Sequence, residues 1–244
     1  LYFGLLSPYP EDAIIKESGL WAIRFLILTL AVSPIRAILG WPKLISVRRT
    51  LGIATFIYSL IHLLGWLVDI DFDWSLAGLE IYLRLYLLIG FIAFLMMIPL
   101  ALTSLDSTIK KLGGKNWQRI HRFVYFIGVL SIFHFYLLLE KLSTPEAQVL
   151  VGIFIFIMSW RLLRLITTKI SFIMLYSLSL ISGILTMFVE ILYYYFFTTL
   201  NASNLIWSAN WTFDGGLRPG WIVMFIGLTL ISIAQIRKIY FIKT

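Results

Sequence analysis

The chemistry available to this sequence rests on three histidines, His62, His121 and His134, each in or beside a long apolar segment. Imidazole binds metal ions and carries protons near neutral pH. Inside a membrane an ionisable side chain is costly, so it usually faces a partner or a cofactor. The alternative for each histidine is a neutral ring that is hydrogen-bonded to a neighbouring helix. Cysteine is absent, which excludes disulfides, iron–sulfur ligation and covalent attachment of a haem.

The elements that position these histidines are apolar helices. Of the 244 residues, 60% are hydrophobic and 13% are charged, and the mean hydropathy of +0.93 excludes an ordinary soluble domain. A spanning helix needs about 20 apolar residues. Segments that qualify lie at approximately 20–39, 50–69, 81–102, 119–139, 148–166, 170–198 and 220–236. We predict an all-α, polytopic membrane bundle with about seven spans. The apolar start at Leu1 also leads us to expect an upstream helix.

The charged junctions between these segments predict the orientation of the bundle. Every second junction is basic, with Lys43, Arg48, Arg49, Lys110, Lys111, Lys115, Arg119, Arg122, Arg161, Arg164, Lys169, Arg237, Lys238 and Lys243. The junction after the second segment carries Asp69, Asp71 and Asp73 instead. Basic loops of this kind mark the cytoplasmic side of a bilayer and not a nucleic-acid partner. We therefore expect a cytoplasmic C-terminus.

Depth in the membrane separates the histidines. Segments 50–69 and 119–139 both start on the cytoplasmic side, so His62 and His134 lie roughly 18 Å and 22 Å deep. Two imidazoles at one level on facing helices can ligate one haem iron from both sides. Zinc is the rival metal, but it prefers more ligands, and none is evident near these histidines. We predict one haem b between them, in the outer half of the membrane.

His121 belongs to a different level. It precedes His134 by thirteen residues, which on a straight helix is about 20 Å and a rotation of about 220°. The two therefore cannot bind the same iron. A second haem with two histidine ligands would need a histidine where Arg48, Arg49 and Thr50 stand. The second site is differently ligated, filled by another cofactor, or empty.

Further charges lie in places where they can serve a cofactor. Arg24 and Arg84 fall just inside spans that begin on the outer side, where a guanidinium can pair a haem propionate or reach the headgroups. Glu190, deep in the sixth segment, marks a proton or quinone site or makes a structural hydrogen bond. The basic, glycine-rich segment 110–115 can receive a flavin phosphate or an acidic partner, or act only as a cytoplasmic anchor. No G-x-G-x-x-G motif follows a strand, so a nicotinamide-binding domain is not predicted.

Two stretches around the histidines carry a family signature. One is R-R-T-L-G at 48–52, followed ten residues later by His62, and the other is L-G-G-K-N-W-Q-R-I-H-R-F-V-Y at 112–125, followed by His134. They resemble the MsrQ (YedZ) family of haem-binding membrane subunits, which belongs among the ferric-reductase-like transmembrane domains. The resemblance covers about 8–170, a haem-binding core. Residues 171–244 look like the extension of longer members, with two further spanning helices and an outer loop.

This resemblance implies an inner-membrane subunit that binds haem b, and FMN, and passes electrons to a periplasmic molybdopterin enzyme that reduces protein methionine sulfoxide. By residue match, the resemblance gives His62 and His134 as the iron ligands and His121, the third family histidine, as a further candidate metal ligand. The related NADPH oxidases carry two histidines on each of two helices, and this chain lacks one of the four. The donor would be a cytoplasmic flavin reductase or a membrane quinol.

Two other functions are compatible with the same sequence. One is a stand-alone reductase of ferric ion or oxygen, which would work without a periplasmic partner. The other is a cofactor-poor accessory subunit of a larger membrane complex, with the outer loop 199–219 as a docking surface. The electron acceptor distinguishes the first from a subunit, and the haem content distinguishes the second.

Overall fold

The computed structural model describes residues 10–138, 145–197, 203–213 and 215–241, and these are almost entirely helical. The helices are α1 (Pro10–Leu39), α2 (Val47–Asp69), α3 (Trp74–Leu83), α4 (Leu85–Leu102), α5 (Asp106–His121), α6 (Phe123–Tyr136), α7 (Pro145–Ile166), α8 (Phe172–Phe197), α9 (Ser203–Thr212) and α10 (Pro219–Phe241). A short 3-10 helix, Pro42–Ser46, precedes α2. The all-α fold agrees with the prediction.

Within the described residues, six helices are long and apolar enough to cross a membrane, and they are α1, α2, α4, α7, α8 and α10. They coincide with six of the seven predicted segments, so the chain is a multi-pass membrane protein. The remaining segment, 119–139, is interrupted at Arg122. Only the 14 residues of α6 follow the interruption. They are about 21 Å long, which is shorter than the roughly 30 Å of bilayer hydrocarbon.

Two other segments are divided differently from the prediction. Segment 81–102 breaks at Arg84, whose backbone is extended, so α3 is separate from α4. The predicted loop 103–119 is mostly the amphipathic helix α5, kinked at Gly113 with a φ of +74°. Glycine adopts this conformation without the strain that a side chain would cause. The basic, glycine-rich segment 110–115 therefore lies within a kinked helix and not in an open loop.

The chain divides into two compact units. Unit 1 contains the described residues of 1–29 and 46–138, and unit 2 contains those of 30–45 and 139–244. All three histidines lie in unit 1, and Glu190 lies in unit 2. The predicted division into a family core and a C-terminal extension concerns homology and not packing, and it stays a prediction.

Aromatic contacts hold the helices of unit 1 in register around His62. The Phe25 ring of α1 lies 5.2 Å from the Tyr58 ring of α2. Phe56 of α2 stacks on Phe94 of α4 with ring centroids 5.7 Å apart. Because His62 follows Tyr58 by one helical turn, these contacts fix the height of its ring beside α1 and α4.

Glycines bring the helices of unit 2 close together. A Cβ on Gly183 of α8 would lie 2.7 Å from the Gly220 carbonyl oxygen of α10, and a Cβ on Gly220 would lie 2.8 Å from the Gly183 carbonyl oxygen. A Cβ on Gly152 of α7 would likewise clash with the side chains of Thr186 and Val223. Small residues that let backbones approach are typical of helix interfaces in membranes.

Candidate functional site

The structure brings His62 and His134 together in unit 1. Their ring centroids are 6.1 Å apart and the ring planes are inclined by 75°. Two metal–nitrogen bonds of about 2 Å, extended by the half-widths of the rings, give about 6 Å between imidazoles on opposite sides of one metal ion. The spacing of the two half-buried rings therefore fits ligation of a single iron.

Backbone carbonyl groups set the orientation of both rings. The Nδ1 of His62 lies 2.8 Å from the Ile15 carbonyl oxygen, and the Nδ1 of His134 lies 2.7 Å from the Tyr86 carbonyl oxygen. A carbonyl oxygen only accepts, so in each neutral ring the proton is on Nδ1 and Nε2 keeps its lone pair. A ligating histidine is commonly held in this way, with its other nitrogen donating to a carbonyl.

Gly90 gives His134 its place against α4. A Cβ at this position would lie 2.6 Å from Nδ1 and 2.7 Å from Cε1 of the ring. Only glycine therefore allows the ring to approach α4 and reach Tyr86, one turn earlier. Gly90 is not among the residues predicted from the sequence, although a glycine inside an apolar span is a recognisable signal of a close approach. The two carbonyl acceptors have no signal in the sequence, because every residue type carries one.

The described residues also bear on the choice of metal. They contain no group of three or more His, Cys, Asp or Glu side chains that is placed to hold a metal ion. Protein zinc sites use three or four such ligands. An iron that already has four porphyrin nitrogens needs only two more ligands. The chemistry of the donor set therefore fits haem.

His121 lies at the other end of α4. Its Nε2 is 3.1 Å from the Thr103 hydroxyl oxygen, which itself donates to the Pro99 carbonyl at 2.7 Å. The hydroxyl therefore accepts from His121, whose proton is on Nε2, the nitrogen that is left unprotonated in the other two histidines. From Tyr86 to Thr103, α4 runs roughly 25 Å. The structure does not bring His121 to the histidine pair.

The surroundings of His121 keep it neutral. Burial and the charge of nearby Arg48 lower the pKa of His121 to about 4, because both disfavour the protonated ring. The ring stacks on Trp117 with centroids 4.1 Å apart, and the Trp117 indole donates to the Thr103 carbonyl at 3.0 Å. These contacts close the turn between α4 and α5. The role of His121 as a ligand stays a prediction.

The two arginines predicted to pair haem propionates contact protein groups in the structure. Arg84 forms an ion pair with Glu80, Nε to Oε2 at 2.6 Å, and donates to the Tyr86 hydroxyl at 3.2 Å. It therefore lies at the end of α4 that holds the histidine pair. Arg24 lies over the Trp21 ring, 4.6 Å from its centroid. Their roles toward a propionate stay predictions.

Glu190 has partners that the sequence analysis did not find. Its Oε1 lies 2.5 Å from Nη2 of Arg218, and its Oε2 accepts from the Asn210 amide at 3.3 Å. Both amide atoms of Gln148, the Asn210 Oδ1 and the Arg218 Nε are buried without a hydrogen-bond partner. The ion pair supports the structural interpretation of Glu190.

Comparisons with known proteins identify the family of the chain. Residues 18–132 match the family model described as ferric reductase like transmembrane component. The chain is 36% identical over 165 residues to the protein-methionine-sulfoxide reductase heme-binding subunit MsrQ of Azospira oryzae, which covers 67% of this chain and 71% of the relative. The chain belongs to the MsrQ family. The resemblance stated from the two histidine stretches is confirmed.

Other MsrQ proteins are similar to the same degree. The MsrQ of Caulobacter vibrioides is 37% identical over 161 residues, 66% of this chain and 76% of the relative. The MsrQ of Xanthomonas campestris pv. campestris is 37% identical over 165 residues, 67% of this chain and 75% of the relative. No solved structure matches the chain.

Proposed function

We propose that this chain is a membrane electron-transfer subunit that holds one haem b between His62 and His134. The observation that carries the proposal is the geometry of the pair. The rings lie 6.1 Å apart, and each Nδ1 is engaged by a backbone carbonyl. Nε2 of each ring is thereby kept as the lone-pair donor that iron requires.

In this proposal the protein residues orient and enclose the haem. Haem supplies one-electron chemistry when it is bound. His62 and His134 would hold the haem iron as its two protein ligands, and the group would supply electron transfer and no binding position for a substrate. The Ile15 and Tyr86 carbonyls fix the imidazoles, and Gly90 allows His134 to approach α4. Such a site transfers electrons and does not by itself convert a substrate.

The distribution of charge supports one orientation of the histidine pair in the membrane. The pair lies at the end of unit 1 where α4 starts, and the basic helix α5 follows the other end of α4. Basic segments lie on the cytoplasmic side, so we place the histidine pair in the outer half of the bacterial inner membrane, with the C-terminus in the cytoplasm. The relatives are named as subunits of a protein-methionine-sulfoxide reductase. We therefore propose a periplasmic molybdopterin reductase subunit as acceptor, and a cytoplasmic flavin reductase or a membrane quinol, with or without FMN, as donor.

The test is the absorption spectrum of the purified protein and of three histidine variants. We expect a Soret band and a reducible b-type α-band with about one haem per chain. His62→Gly and His134→Gly remove an iron ligand and lose these bands, and added imidazole partly restores them. His121→Gly should retain the bands of the single haem proposed here, because its Nε2 donates to Thr103, and a loss of haem from this variant would instead support His121 as a ligand. Unchanged spectra in the first two variants would rule out the assigned ligands.

The stand-alone reductase remains the second candidate, because the match to the ferric-reductase-like model spans 18–132 and includes α2 and α4. Reduction of a chelated ferric salt by the purified haem-loaded protein, at a rate that a periplasmic subunit does not change, would favour it. Electron transfer that depends on that subunit favours the proposed role.

A further inference from the structure

A cavity of about 880 Å³ opens at one end of unit 2. Four segments meet there, namely the end of α1, the end of α7 with the turn after it, the start of α8 and the end of α10. This is the end with the basic junctions, which the sequence places in the cytoplasm. The volume is in the range of sites that hold small organic ligands.

The rim of the cavity is cationic and its floor is apolar. Arg164, Lys169, Arg237 and Lys238 line it, together with buried Trp160 and Leu175. Aromatic rings hold several cations in place. Lys238 lies 5.5 Å from the Phe172 ring centroid, and Arg237 lies 5.8 Å from that of Trp41. A site of this composition selects a ligand with an anionic head and an apolar body.

Among the described residues, those that line the cavity carry no carboxylate. In the sequence, no acidic residue occurs in 18–68, 147–189 or 215–244, and these stretches include every segment that forms the cavity. This composition favours an anion that comes from outside the chain. A phosphate group is the anion that clustered Arg and Lys side chains bind most readily in such a setting.

The surroundings of the cavity identify the ligand as an amphiphile. Leu165 and Ile166, at the end of α7, are each 84% exposed, and Ile173 of α8 is 78% exposed. Large apolar side chains at the ends of spanning helices face lipid. A soluble phosphate compound would gain nothing from this apolar margin, whereas acyl chains would lie along it.

We propose that the cavity binds an anionic phospholipid of the cytoplasmic leaflet. Its phosphate lies among Arg164, Lys169 and Lys238, and its glycerol and acyl chains lie over Trp160, Leu175 and the apolar surface of α8. This site is independent of the histidine pair, and its occupant stabilises unit 2.

The test measures phospholipid retained by the detergent-purified protein, using native mass spectrometry with equal amounts of phosphatidylglycerol and phosphatidylcholine. The unchanged chain should retain phosphatidylglycerol in preference. Arg164→Gln with Lys238→Gln removes two rim charges, at roughly fivefold loss of affinity for each. Arg119→Gln with Arg122→Gln is the control, because it removes two charges of the same predicted side that do not line the cavity, and it should retain the preference.

A second variant separates the cavity from the charge. Ala37→Trp keeps every cation but fills the cavity that Ala37 lines, so it should also lose phosphatidylglycerol. Equal losses in the rim pair and the control pair would overturn the proposal, since the charges would then act only as membrane anchors. Retention by Ala37→Trp would overturn it as well. Displacement of the lipid by FMN or inorganic phosphate would show that the source of the phosphate is soluble, which also overturns it.

Discussion

The polar side chains of the membrane helices have different kinds of partner in the two units. In unit 1, the Nδ1 of His62 and the Nδ1 of His134 each lie within hydrogen-bond distance of a backbone carbonyl oxygen. In unit 2, Glu190 is paired directly with Arg218 and assisted by Asn210. The histidines therefore contact backbone groups, whereas Glu190 contacts other side chains, and the Asn210 Oδ1 and the Arg218 Nε beside it are buried without a hydrogen-bond partner.

Packing differs in the same sense. In the apolar stretches of α2 and α4 in unit 1, 11% and 6% of the residues are buried. In those of α7, α8 and α10 in unit 2, 39% of the residues are buried. Unit 2 reaches this figure through direct glycine contacts between its helices. A porphyrin bound at the histidine pair would add buried apolar area that α2 and α4 do not supply to each other. We expect the haem proposed for unit 1 to add to the packing of its helices, whereas the helices of unit 2 contact one another directly.

The largest effect is expected from a substitution that displaces the His134 ring in unit 1. Gly90→Val places a side chain where the His134 ring lies, so the ring cannot keep its bond to Tyr86. We expect haem loading to fall at least tenfold, which a pyridine haemochrome assay measures, while circular dichroism stays helical. Gly78→Val is the control, since a Cβ there meets nothing within 4 Å. Normal loading of the Gly90 variant would show that the ring position does not matter.

The next largest effect is expected from breaking the ion pair between Arg218 and Glu190 in unit 2. Arg218→Ala leaves Glu190 buried without its cation, which costs about 3 kcal/mol of stability. Thermal unfolding in detergent should show the loss, and Arg218→Ala with Glu190→Gln should recover most of it. Arg49→Ala breaks the exposed pair with Asp106 and should cost under about 1 kcal/mol. Loss of haem from Arg218→Ala without a change in its thermal unfolding would contradict the proposed difference between the units.

The smallest effect is expected at His121, the histidine of unit 1 that lies away from the pair. Its folded pKa of about 4 lies below the unfolded value near 6.5. Between these values the unfolded chain takes up a proton that the folded chain does not. Stability therefore falls as the pH drops through this window and is unaffected above it. His121→Gln should flatten this part of the stability profile, and an unchanged slope would remove His121 as its source.

Much of the fold could be predicted because a bilayer imposes few solutions. Six of the seven predicted spans are helices of spanning length, since runs of about 20 apolar residues have no other stable conformation in lipid. The interruptions at Arg84 and Arg122 could not be predicted, because hydropathy does not report local backbone angles. The division of segment 119–139 into the end of α5 and a short α6 followed from the second of these.

The candidate site divides in the same way. The sequence by itself determined which histidines share a level, because helical rise converts residue number into depth. Only the tertiary structure decided that each of the pair donates from Nδ1 while His121 donates from Nε2. Those choices depend on the carbonyls of Ile15 and Tyr86 and on the Thr103 hydroxyl, which lie on other helices. Likewise, Glu190 and Arg218 are 28 residues apart, and their pairing arises only when α8 and the start of α10 pack together. A sequence records which polar groups a membrane protein carries, whereas packing decides which of them satisfy one another.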